Sequence, residues 1–583
     1  MKLSSTLAIF LAVFFGCHSS LSAKVEESFP RVVTPLGTIE GYYKVSSNGS
    51  RLEAYEGIPY AKPPIGESRF RVASRLSPWS GVLKAKRFGL PCLQYNQFPM
   101  DPANKVEGSE DCLYMNVYAA DRSDRHFRRA AESANLLPVI VYIHGGAFQF
   151  GSAMTYGPNY LLNRDIVLVT FNYRLGPLGF LSTEDATVPG NMGLKDQVIA
   201  LRWVADNVQS FGGDPARITI VGHSAGGASV HYHYLTNLTS GLFKGGISLS
   251  GTALDCWTQA EGALDKVKKL ASIVGCPSRD VQDMVDCLRS RPGYQIVQAV
   301  GEFMPWRYNP FTPFGPVVEK GGSEFTFIDR SPIEIINSGQ VQDVPWITGI
   351  TSEEGLYPAA DFVASEKLLR DLNNDWESIA PHLLDFNYTV PKSEHSNVAR
   401  LIKQHYLGTR PIEKSTVKEI VQMISDRLFV YDGIQAARLQ ARVNQSPVRF
   451  YYFTYRGAHS VSEAISGSTD DFGVSHADDV AYVLDTSSAL FNSSTTPQDR
   501  DMQKELINIW VSYATEGVPN IGVEWPEVSR STDKFSYLHI GGPKEIAVRD
   551  GPSFGEERFW HGIDLRENIM ESKNYGKARR TEL

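Results

Sequence analysis

The stretch that decides the fold is ITIVGHSAGGASV, Ile218 to Val230. Ile218, Thr219, Ile220 and Val221 are all β-branched, and they run straight into Gly222-His223-Ser224-Ala225-Gly226. Such a run suits a buried strand. The small residues behind it, followed by VHYHYL, suit a helix. A strand that turns sharply into a helix raises the residue at the bend out of the fold. Gly222 and Gly226 flank that residue because a Cβ at either place would collide across the turn. The residue so raised is Ser224. A serine hydroxyl is a weak nucleophile at neutral pH, and it needs a base within reach and a group that orients the base. The helix starting behind Ser224 offers unpaired N–H groups to developing negative charge. The five-residue pattern alone is weak; its strand-before, helix-after setting is what gives it weight.

Outward from that point, the pattern of alternating strands and helices repeats. LPVIVYIHGG (Leu137 to Gly146) and DIVLVTFNYRLG (Asp165 to Gly176) are continuous apolar runs that end on glycine. LKDQVIALRWVADNVQSFGG (Leu194 to Gly213) carries Val198, Leu201, Val204, Ala205 and Val208 at helical spacing. KGGISLSG, VPWITGIT and VRFYYFTY, beginning at Lys244, Val344 and Val448, read as further strands. Apolar strands separated by helices imply an α/β fold with a mostly parallel sheet covered on both faces. The N-terminal GTIEGYYKV and RLEAYEGIPYA suggest a small antiparallel sheet. The segment from 355 to 445 is rich in helix formers and is expected to cover one end of the sheet.

The bulk properties set limits. The chain has 583 residues, 42% hydrophobic and 21% charged, with a formal net charge of −8. That balance lacks the basic stripe a nucleic-acid partner needs. TLAIFLAVFFG (Thr6 to Gly16), after Lys2 and before the small residues near Ser22 and Ala23, reads as a removable secretory signal over 1–22. One domain is expected over 23–565, and a polar tail over 566–583. No later stretch reaches the roughly 18 uncharged apolar residues of a membrane span. There are six cysteines, of which Cys17 leaves with the signal. In an oxidising compartment the other five imply two bridges and one spare thiol. Sequence neighbours suggest Cys92–Cys112 and Cys276–Cys287, although spacing alone does not fix the pairing. Asn48, Asn237, Asn387, Asn444 and Asn492 stand in glycosylation sequons, with Pro447 weakening the one at Asn444. The final Glu582-Leu583 matches the end of a luminal retention tail, whereas Arg580 and Thr581 depart from it. Export from the cell is the leading expectation, and retention in the lumen the alternative.

A second glycine turn, YIHGGAFQFG (Tyr142 to Gly151), also closes a strand. Small residues there let backbone N–H groups approach an oxyanion, and Gly146, Ala147 and Ala225 are the expected donors. With these motifs in place, GSEDCLYMNVY, HGGAF, NYRLGPLGFLS, GNMGLKDQ, ALRWVADNVQSFGGDP, GHSAGGAS and GVSHADDVAYV together resemble the type-B carboxylesterase family of the α/β-hydrolase fold. The likeness covers nearly the whole mature chain and is greatest to secreted insect-type esterases. The resemblance implies an acid in the E-G turn of TSEEGLYP, hence Glu354, with Glu353 the competing choice. It implies a base in the GVSH turn, hence His476; His459 is the nearest rival among 13 histidines. It also implies pairs Arg69–Glu110 and Arg174–Asp196, bridges at the two neighbour pairs, and Cys256 left over as a buried thiol. His144 and His223 are expected to shape the pocket rather than move protons. The reaction implied is hydrolysis of a small-molecule ester with no metal and no cofactor. Two departures narrow it. His223 stands where cholinesterases carry glutamate and juvenile hormone esterases usually carry glutamine. The loop from Cys92 to Cys112 has no tryptophan for a choline cation. A specialised hormone or odorant esterase, or a non-catalytic adhesion relative, are the alternatives. Oligomeric state is not readable.

Overall fold

Strands that are apolar at every position need two cores, one on each face, and the chain provides both. Val139, Val141 and Ile143 belong to one core, and Ile140 and Tyr142 to the other. Val167, Val169 and Phe171 likewise face the first core and Leu168 the second. This alternation is the two-residue period of a strand, with both faces buried. The structure is a computed structural model that describes residues 29–98, 104–121, 136–487, 493, 495–531, 534–551, 554–563 and 565. The signal 1–22, the tail 566–583 and Asn492 lie outside these.

Among the described residues, eleven strands form the main sheet. In spatial order they are Ile546–Gly551, Phe535–Ile540, Val448–Phe453, Trp346–Thr351, Gly245–Leu249, Gly213–His223, Leu137–Ile143, Val167–Phe171, Tyr114–Ala120, Arg51–Pro59 and Tyr42–Val45. Neighbours from Phe535–Ile540 through Val167–Phe171 run parallel, and both margins are antiparallel. The register aligns the strand ends. His223 pairs with Leu249, Leu249 with Gly349, and Gly222 with Ile143, so these strands finish level with one another. The turns after them open on a single edge, where parallel sheets place their sites. Helices Met192–Asn207 and Ala225–Tyr234 cover the first core, through Leu194, Val198, Leu201 and Val230. Helix Pro497–Glu516 covers the second with Met502, Leu506, Ile509 and Trp510.

A small N-terminal sheet is present, but it is mixed rather than antiparallel, and RLEAYEGIPYA is not part of it: Arg51–Pro59 pairs with Tyr42–Val45 and Tyr114–Ala120 at the margin of the main sheet. Arg31–Thr34 and Gly37–Glu40 pair antiparallel, and Val82–Lys84 joins them in parallel. GTIEGYYKV divides between the two sheets at Gly41. A Cβ there would lie 2.3 Å from Ala54 O, so only glycine lets the chain cross that strand. The 355–445 segment is helical, from Leu356–Val363 to Tyr431–Val443.

Both expected disulfides form, Cys92–Cys112 and Cys276–Cys287. Arg69 joins their neighbourhoods. Its guanidinium grips Glu110 at 2.6 and 2.7 Å and donates to the carbonyls of Leu288, Arg289 and Arg291. Arg174 and Asp196 form a buried bidentate pair, both contacts 2.7 Å. Such geometry is the most directional an ion pair has. Cys256 is half-buried rather than buried, with its Sγ 3.6 Å from Arg427 O. Asn444 corrects an expectation. It is fully buried, accepts from Gln440 and donates to Val344 O, so no glycan can be attached there in the folded chain. Asn48 and Asn237 are exposed, and Asn387 is half-buried.

Candidate active site

Strand Gly213–His223 ends at a bend, and helix Ala225–Tyr234 begins one residue later. Ser224 occupies that bend at φ 58°, ψ −124°, a conformation rare for a residue with a side chain. Its neighbours make the bend possible. A Cβ on Gly222 would lie 2.2 Å from Gly226 O, and one on Gly226 would lie 2.0 Å from Ile143 O. Ser224 N donates to Leu249 O at 2.8 Å, and Ser224 O accepts from Ala228 at 2.8 Å, so the strained residue is held from both sides.

The second glycine turn lies against this bend. An added Cβ on Gly145 would stand 3.0 Å from the Ser224 Cβ. Gly146, Ala147 and Phe148 all have positive φ, at 110°, 55° and 58°. Such a run of left-handed backbone makes a tight turn of the main chain. Among the described residues no hydrogen bond is donated by the N–H of Gly146, Ala147 or Ala225. The turn is braced from behind: Phe150 N and Gln149 N donate to Gly146 O, and Gly176 N donates to Phe148 O. His144 is buried, donates through Nδ1 to Gly145 O at 2.8 Å, and stacks on Tyr173 with centroids 4.4 Å apart. Burial pushes its imidazole down to about 4, which favours the neutral form.

Glu354 and His476 meet although 122 positions separate them: Nδ1 lies 2.5 Å from Oε2. The carboxylate is wholly buried, and its other oxygen accepts from Ser250 Oγ at 2.5 Å and Thr351 N at 2.6 Å. Burial raises the Glu354 carboxyl above its ordinary value, and these donors oppose the rise. Burial lowers His476, because its imidazolium would sit in an apolar box. Phe429 and Tyr357 form two sides of that box, with centroids 4.5 and 5.5 Å from the imidazole. His223, the residue beside Ser224, forms a third at 4.4 Å. His476 Nε2 is buried and has no hydrogen-bond partner, and no hydrogen bond joins it to Ser224 among the described residues. The rival choices fall elsewhere. His459 is exposed and pairs with Glu463 at 3.1 Å. The Glu353 carboxylate turns away from the imidazole and accepts from Ser352 Oγ and Val474 N.

Several side chains here have no signature in the sequence. Ser250 lies at the end of the next strand and reads there only as a small polar residue. Phe311, Trp257 and Phe148 continue the aromatic wall begun by Tyr357 and Phe429: Phe311 packs on Tyr357 at 5.2 Å and Trp257 on Phe429 at 5.8 Å. Phe429 sits in a π-helical turn, Asp426–Val430, whose carbonyls accept from Cys256 and Trp257. One-turn π-segments often accompany functional sites.

A parallel sheet that brings a strained serine, an orphaned amide turn and a buried histidine–carboxylate pair to one edge defines an α/β-hydrolase. Comparison with known proteins makes this specific. Residues 28–560 match the model of the carboxylesterase family. Venom carboxylesterase-6 of Apis mellifera is 51% identical over 547 residues, which are 94% of this chain and 96% of that protein. Esterase FE4 of Myzus persicae is 38% identical, over 94% of this chain and 95% of its own length. The crystal structure of juvenile hormone esterase from Manduca sexta, with OTFP covalently attached, superposes with a TM-score of 0.78 at 27% identity. That superposition covers 94% of this chain and 100% of the other. The chain belongs to the carboxylesterase family and is a carboxylic-ester hydrolase. Among the described residues no helix is long and apolar enough to cross a membrane.

Proposed function

We propose that this esterase works through an acyl-enzyme on Ser224, with His476 as base and Glu354 as the acid that orients it. Ser224 Oγ attacks the ester carbonyl while its proton passes to His476 Nε2. His476 keeps the Nδ1 proton directed at Glu354, whose carboxylate supports the imidazolium. The oxyanion rests on the N–H groups of Gly146, Ala147 and Ala225, each typically worth about 3 kcal/mol in the transition state. The C–O bond to the alcohol breaks, and the alcohol leaves with the proton from Nε2. Water then gives a proton to the same nitrogen and attacks the acyl carbon; the bond from that carbon to Ser224 Oγ breaks, Oγ takes the proton back from Nε2, and the acid is freed. The observation that carries this reading is the 2.5 Å His476–Glu354 contact, with Nε2 buried and unpartnered and the imidazole packed 4.4 Å from His223, the residue before Ser224. The covalently attached OTFP in the Manduca relative fits a nucleophile of this kind.

The aromatic wall favours uncharged esters with apolar acyl or alcohol groups. No carboxylate adjoins the serine to attract a choline cation, since His223 stands there. The signal-like N-terminus, the two disulfides and the exposed sequons at Asn48 and Asn237 support export. A fluorophosphonate probe tests the mechanism and also separates an enzyme from an adhesion relative. The wild type acquires one adduct, found by mass on the peptide bearing Ser224, and Ser224→Ala acquires none. Equal labelling of the variant refutes the assignment. A kcat/KM panel over acyl chain length, with a juvenile-hormone-type ester as one arm, fixes the substrate.

A further inference from the structure

The Glu353 carboxylate binds the loop that carries His476. Its Oε2 accepts from Val474 N at 2.7 Å and from Ser352 Oγ at 2.5 Å. Its own backbone N donates to Val474 O at 3.0 Å, and a β-bridge pairs Glu353 with Ser475. Side chain and main chain therefore both grip residue 474, two positions before His476. Gly473 exists to admit the grip: its φ is 114°, and a Cβ would lie 2.6 Å from the Glu353 Cδ. The loop is secured onward by Ser475 N, which donates to Asp478 Oδ2 at 2.8 Å. On the other side, Leu356 N donates to Glu353 O at 2.9 Å and Ser352 N to Phe453 O at 3.0 Å. The acid turn and the base loop are thus fastened to each other one residue away from Glu354 and two residues away from His476.

We infer that Glu353 is a positioning residue, a clasp that sets the distance between Glu354 and His476; this rests on the proposed triad. It touches neither substrate nor imidazole. It acts by fixing the loop that carries His476, so that Nδ1 reaches Oε2 and Nε2 faces the serine. Nothing in the chemistry of ester hydrolysis requires a second glutamate here. The geometry requires an acceptor of glutamate length that reaches the Val474 N–H. Glutamine also presents an oxygen there; alanine and aspartate do not.

The test compares Glu353→Ala, Glu353→Asp and Glu353→Gln with the wild type and Ser224→Ala, using an apolar p-nitrophenyl ester. Rates are normalised to folded protein by circular dichroism, and Tm is recorded. A loop displaced by about 1 Å typically costs up to about 100-fold in rate. We expect kcat to fall 10- to 100-fold in Glu353→Ala and in Glu353→Asp, with KM changed less than threefold. Glu353→Gln should stay within threefold of wild type, because its oxygen still accepts from Val474. If Glu353→Ala does not fold, the Asp and Gln pair decides. A lowered Tm with unchanged kcat in the Ala and Asp variants, or equal losses in Asp and Gln, overturns the clasp. Full activity in Ser224→Ala overturns the triad instead, and so separates the two failures.

Discussion

Placing a methyl group on Gly226 tests whether the serine bend and the oxyanion turn are one mechanical unit. The Cβ of Gly226→Ala would lie 2.0 Å from Ile143 O, 2.8 Å from Ile143 C and 2.9 Å from His144 O. All three are backbone atoms of the strand end that leads into Gly145–Ala147, so no side chain can swing aside. Restoring an ordinary contact needs a separation of about 1 Å, and a misplacement of that size typically costs about 100-fold in rate. The overpacking itself is expected to cost about 1–3 kcal/mol of stability. Gly227, one residue on, provides the control. Its Cβ would also meet backbone, Leu249 O at 2.9 Å, Gly251 O at 3.0 Å and Gly222 O at 3.2 Å, a clash nearly 1 Å milder than that at Gly226. The expected order is therefore wild type, Gly227→Ala within about 10-fold, and Gly226→Ala down about 100-fold in kcat. Hydrolysis of p-nitrophenyl acetate at saturating ester, normalised to folded protein by circular dichroism, reads this directly. A Gly226→Ala enzyme that folds and turns over within threefold of wild type would falsify the idea that this contact sets the site.

Three other perturbations probe the base, a buried ion pair and a disulfide. His476 is pushed below its ordinary value of about 6.5 by burial, so its unprotonated, active form persists as pH falls through that value; the acid limb of kcat/KM should lie below pH 6.5, and a limb at or above it contradicts a buried base. Asp196→Ala leaves the Arg174 cation buried without its bidentate partner, which typically costs about 3–5 kcal/mol; thermal denaturation should show a large drop in Tm, and joint replacement of both residues by Met and Leu should recover much of it. Serine at Cys276 and Cys287 opens a loop with a sequence separation of 11. Closure of such a loop is worth about 3 kcal/mol in the chain-entropy account, so an unchanged Tm in that double variant argues that the bridge is not formed in the folded protein.

How far the site could be read from the sequence depends on what each residue needs. Ser224, Gly222 and Gly226 were legible because their requirement is local: a strand, a sharp bend and a helix are written within thirteen consecutive residues, Ile218 to Val230. The parallel sheet was legible for a similar reason, since runs such as Val139–Ile143 can be satisfied only by burial on both faces. GTIEGYYKV was harder, because its division between two sheets is decided by the approach of Ala54 O to Gly41, which no local pattern records. Ser250 and Phe429 carry no local signal in the sequence. Ser250 matters only through a carboxylate 104 positions away, and Phe429 only through an imidazole 47 positions on, at a 4.5 Å ring distance. The paired glutamates show the limit most clearly. Glu353 and Glu354 are chemically identical and adjacent, and the resemblance to a family, not the residues themselves, favoured Glu354. Strand Trp346–Thr351 ends just before them, so consecutive side chains leave on different sides of the turn: Glu354 enters the buried pocket and Glu353 reaches the 474 loop. Their difference in role is a difference in direction. Direction at a strand end is set by the register of Trp346–Thr351 against Gly245–Leu249 and Val448–Phe453, a property of the whole sheet rather than of the two residues.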